Sequence, residues 1–75
     1  MKRYRHRGGN SGVRSYEIGE TFIKIQFGTG EIYLYDYERP GRVQVEKMKI
    51  LAEAGKGLST FISKHVKENF SEKLS

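Results

Sequence analysis

Seventy-five residues make one small domain, able to bury only about 60% of the surface its unfolded chain exposes. With no cysteine, neither a disulfide framework nor a thiolate zinc site can reinforce it. The net charge of +5 suggests a nucleic-acid partner, but it is confined to one end of the chain. Residues 1–14 hold Lys2, Arg3, Arg5, Arg7 and Arg14 with no acidic residue, whereas residues 15–75 hold nine basic and nine acidic side chains that cancel.

The opening MKRYRHRGGNSG lacks the apolar stretch of a signal peptide, and no apolar run approaches the roughly 18 residues of a membrane span. The expectation is a soluble, cytoplasmic protein without a membrane partner. Cations followed by GGNSG offer almost nothing to bury, so residues 1–12 read as a disordered basic arm. Such an arm either touches phosphates through Arg3, Arg5 and Arg7 or merely solubilises the chain.

Three strands follow. Val13 to Ile18 closes at Gly19-Glu20; TFIKIQF alternates Ile23, Ile25 and Phe27 with Phe22, Lys24 and Gln26; EIYLYD is the third. Gly28-Thr29-Gly30 joins the last two as a hairpin, and its length decides where Tyr33 and Tyr35 point. A two-residue loop pairs Phe27 with Ile32 and places the tyrosines beside Phe22 and Lys24, an aromatic and basic platform for stacking bases. A three-residue loop with Gly30 in the bulge pairs Ile25 with Tyr33 and Ile23 with Tyr35, turning the rings into the core. The second arrangement is favoured because a small core needs aromatic bulk. It leaves Phe22, Ile32 and Leu34 on the outer face as a candidate surface for a protein partner or a second copy.

Arg39-Pro40-Gly41 ends the sheet, and the period changes from 2 to 3.6. Val45, Met48, Leu51 and Ala52 form one helical stripe, with Glu46, Lys49 and Ile50 outward and Gly55 as the left-handed C-terminal residue. Leu58, Phe61, Ile62, His65, Val66 and Phe70 form the stripe of a second helix with Ser59 as its N-cap, and residues 71–75 read as frayed. The predicted fold is α+β: a three-stranded antiparallel meander with two helices on one face, spanning residues 13–70.

A strand ending in Phe27, the turn at Gly30, Tyr33-x-Tyr35, MKILAEAGKGLSTFI from Met48 to Ile62, and Phe70 together resemble the KTSC domain. That family is named for the C-terminal domain of a lysyl-tRNA synthetase. The resemblance covers roughly residues 13–70 and is strongest in AGKGLSTFI; Ser59 stands where family members often carry asparagine. It implies a small α+β module without an enzymatic reaction, and its company suggests RNA.

Gly55-Lys56-Gly57 before Leu58-Ser59-Thr60 resembles a phosphate loop, because glycines free backbone amides beside a helix start. It departs from GxxxxGK followed by Ser or Thr, having a helix before it and Gly57 after the lysine; a C-cap and tight turn explain it as well. Lys56 with the Ser59 and Thr60 amides is nevertheless a candidate for one RNA phosphate. His6 and His65 are the two histidines, one in the arm and one on an apolar stripe, so neither a metal site nor a cofactor is expected. No serine has a nucleophile-elbow context, and no small-molecule substrate is indicated. The expected function is non-catalytic binding of RNA or another nucleic acid, with protein interaction as the alternative.

Overall fold

The computed structural model of the chain describes residues 1–5 and 12–75. Five strands run β1 (Lys2–Arg3), β2 (Val13–Ile18), β3 (Phe22–Phe27), β4 (Ile32–Asp36) and β5 (Glu72–Lys73). They form one antiparallel sheet in the order β1-β2-β3-β4-β5. The three predicted strands are its centre, and the general α+β class agrees with the reading from sequence.

Two expectations need correcting, both at the edges of the sheet. The arm expected to be loose over residues 1–12 contributes β1, paired through Lys2 with Tyr16 and Arg3 with Ser15. Tyr4 beyond it is only 1% exposed. Burying a tyrosine ring offsets the ordering of a short basic segment, which composition alone could not foresee. Residues His6 to Ser11 lie outside the described residues. At the other end, the segment read as frayed supplies β5: the Ser71 and Leu74 amides donate to the Leu34 and Ile32 carbonyls at 2.8 and 2.7 Å. A three-stranded meander is therefore a five-stranded sheet.

The hairpin between β3 and β4 has the three-residue form. The Gly30 amide donates to the Phe27 carbonyl (2.8 Å), Phe27 pairs back to Glu31 (2.9 Å), and Gly30 sits at φ 97°, where a side chain would be strained. Ile25 accordingly faces Tyr33 and Ile23 faces Tyr35. Tyr35 is buried, and burial raises the pKa of its hydroxyl. A bulge between Val13 and Ser15 shifts the alternation of β2 by one residue, so Val13 and Tyr16 both reach the core.

The covering layer begins with α1 (Arg42–Ala54), which buries Val45, Met48 and Ala52 against β3 and β4. Gly55 ends it in the left-handed region at φ 71°, its amide reaching the Ala52 carbonyl while that of Lys56 reaches Leu51. The second helix is shorter than its stripe suggests. α2 (Leu58–Phe61) passes into a π-helical turn, Ile62–Val66, and Lys67 leaves it at φ 53°. Leu58, Ile62 and Val66 are buried, but His65 is exposed with its ring 5.1 Å from Phe61. Phe70, beyond the helix, instead stacks on Tyr33 and Tyr35 at 4.5 and 6.4 Å. Ser59 does not cap α2; Gly57 holds that position without a side-chain bond.

Candidate nucleic-acid interface

The joint between the helices is built around the N-terminal strand. Tyr4 directly follows β1 and is buried, and its hydroxyl oxygen accepts the Leu58 amide at 3.2 Å, satisfying the first amide of α2. One residue later, Arg5 runs across Gly55 so closely that a β-carbon there would lie 2.6 Å from the Arg5 β-carbon. Gly55 is thus required twice, for its dihedral angle and for this approach. Arg5 and Lys56 are both exposed, and they start from neighbouring stretches of backbone because Lys56 directly follows Gly55. The chain returns at Gly12, where a β-carbon would stand 3.8 Å from the Ser59 hydroxyl oxygen.

The other predicted phosphate contacts are dispersed. Arg3, opposite Ser15, belongs to the outer sheet face, whereas Lys2 lines a cleft of about 470 Å³ with Met1, Tyr16, Glu17, Ile18 and Glu53. Arg7 lies outside the described residues. Ser59 is half-buried and Thr60 exposed, both on α2 directly after the joint. The structure therefore brings Arg5, Lys56, Ser59 and Thr60 into one neighbourhood and sends Arg3 elsewhere.

The outer face carries the alternative site. Phe22, Ile32 and Leu34 are half-buried there, with Leu34 between Lys24 on β3 and Glu72 on β5. The Phe22 ring folds over Gly19, and the Lys24 ammonium sits 5.6 Å above it. Lys24 also faces Glu17 at 3.7 Å, and Ser15 donates to Gln26 at 2.9 Å. Positive and negative groups alternate across this face, which suits a protein surface better than a phosphate chain.

Two constellations have no counterpart in the sequence reading. Tyr37 donates to Glu46 Oε2 at 2.7 Å, and Lys49 donates to the same oxygen at 2.8 Å and to the Glu20 carbonyl at 2.9 Å. Lys49 is therefore largely covered and not the outward residue its helical position implied. These bonds, Lys49 first and Tyr37 second, hold the Glu46 carboxyl below the ordinary range. The second is an apolar cleft of about 470 Å³ beside the hairpin, lined by Gly12, Phe27, Gly28, Thr29, Glu31 and Tyr33. Its signal was the spacing of Phe27 and Tyr33 around a three-residue turn, which puts both rings on the inner face.

Among the described residues, no three His, Asp or Glu side chains converge as a metal site, and no helix is long and apolar enough to cross a membrane. No protein-family model, curated protein or solved structure is significantly similar to the chain, so the likeness to the KTSC domain rests on the quoted motifs alone.

Proposed function

We propose that the chain is a non-catalytic, cytoplasmic binding module of KTSC type that holds the phosphate backbone of RNA at the joint between its two helices. The observation that carries this reading is the packing of Arg5 across Gly55, which brings the backbone of one exposed cation against the residue that precedes another, Lys56. Two adjacent cations on a folded platform attract successive phosphates and lose less freedom on binding than the same charges on a loose arm. Ser59 and Thr60 border the contact and add hydroxyl donors. Arg3, on the outer sheet face, contributes attraction from a distance, fading within about 10 Å at ordinary salt.

The test is fluorescence anisotropy of a labelled single-stranded RNA across a salt series, comparing the intact chain with the Arg5→Ala/Lys56→Ala double variant. Deleting the arm is unsuitable, because it removes Tyr4 from the core. The intact chain should show a steep salt dependence. The double variant should lower the slope of log K against log salt by about 1.4, since each phosphate no longer neutralised accounts for about 0.7. No binding, or binding that neither salt nor the two substitutions alter, overturns the proposal.

A second reading, a protein-interaction module using Phe22, Ile32 and Leu34, is favoured by one feature: the helices cover a single face of the sheet, leaving these three side chains on the other.

A further inference from the structure

Next to the joint lies the apolar cleft of the hairpin, and the two are connected through one residue. Gly12 lines the cleft and also approaches Ser59, three residues after Lys56. We infer that this cleft is a stacking slot for one unpaired base of a single-stranded nucleic acid whose phosphates lie on Arg5 and Lys56. The inference rests on the phosphate reading above and names what the same surface does with the base.

The shape of the cleft favours a flat ring. Phe27 and Tyr33 meet edge to face at 5.5 Å and 70°, and Phe70 packs against Tyr33 at 4.5 Å. Beside Phe27 the lining is backbone without side chains, where the Gly28 amide donates to the Gly12 carbonyl at 2.7 Å. Ligand cavities span about 300–1,000 Å³, so a volume of about 470 Å³ accommodates a single base.

The chemistry of the rim agrees. Among the described residues Glu31 is the only carboxylate lining the cleft, and it is engaged by Lys73 at 3.0 Å and by the Thr29 hydroxyl at 3.2 Å. Its charge is thus compensated before a phosphate arrives. The cleft at the opposite end of β2 has the same volume but carries Glu17 and Glu53 beside Lys2, a lining that repels a phosphate chain. A slot walled by rings and glycine backbone recognises the face of a base and not its hydrogen-bonding edge. It therefore accepts any sequence and favours purines, whose larger rings stack more strongly.

Two measurements on the intact chain test the slot. In NMR titrations, adenosine 5′-monophosphate should shift the Phe27 and Tyr33 ring protons and the Gly12 and Gly28 amides, while ribose 5-phosphate should move only resonances around Arg5 and Lys56. In anisotropy, an abasic oligonucleotide should bind about tenfold more weakly than its base-bearing equivalent, and Phe27→Leu should reproduce that loss on the normal strand. Unmoved cleft resonances, or equal affinity for abasic and normal strands, overturn the slot. If charge removal weakens binding while abasic strands bind normally, the phosphate reading survives and the slot falls. If the nucleotide fills the cleft but oligonucleotide binding ignores salt, the slot survives and the phosphate reading falls.

Discussion

Tyr4 connects the segment that looked least structured to the most specific stretch of the chain. Its neighbours are Arg3 and Arg5, and only the alternation of exposed cation, aromatic ring and exposed cation suggests a strand with one face buried. That signal spans three residues, too few to outweigh the composition of the arm. The consequence for stability is direct, since the Leu58 amide is buried and takes the Tyr4 hydroxyl oxygen as acceptor. Tyr4→Phe keeps the ring in the core but leaves that amide without this acceptor, a loss of about 1–3 kcal/mol. Thermal unfolding should show the midpoint falling by several degrees at least, at about 4–8 °C per kcal/mol for a domain of this size. An unchanged midpoint would mean that water replaces the hydroxyl at no cost.

Elements with their own periodicity were legible, and those made by pairing alone were not. The stripe of α1 and the three central strands follow from spacing, because each has a buried side to advertise. β1 and β5 have two residues apiece, all exposed, and are held by backbone bonds that any sequence can make. The π-helical turn escaped for a related reason: Leu58, Ile62 and Val66 are four apart and fit either winding. Contacts between elements were equally hidden, as in the clasp of Tyr37, Glu46, Lys49 and the Glu20 carbonyl, which ties the β2–β3 turn to α1. Because the clasp lowers the Glu46 pKa below the ordinary 4.5, the sign of its pH dependence is set. The carboxylate contributes stability above that ordinary value and loses it as pH falls through the lower folded value. Thermal melts of Glu46→Gln should therefore lie below those of the natural chain at about pH 7, and the two should converge as pH falls through the lowered folded value. A constant gap between the two would assign the effect to packing and not to charge.

At the scale of the whole molecule, the charge count located the cations along the chain but not in space. It placed the whole excess in residues 1–14, yet the fold sends three of those five cations to three different places: Lys2 beside Glu17 and Glu53, Arg3 on the outer face, Arg5 at the joint. Only contacts formed by distant segments could separate them, which is why Arg5 and Lys56, far apart in sequence, were grouped by type and not by position. The same arrangement gives the two binding readings different surfaces, and one substitution divides them. Leu34→Lys puts a second cation opposite Lys24 on the outer face and leaves the joint untouched. If that face binds a second copy, sedimentation at rising concentration should show the natural chain dimerising and the variant remaining monomeric, because like charges set directly across an interface oppose association. RNA affinity should stay within about twofold, since a single charge remote from the phosphates acts only through a screened field. A natural chain that is monomeric at every concentration removes the homodimer, and a variant that loses RNA binding as well would move the nucleic acid from the joint to the open face of the sheet.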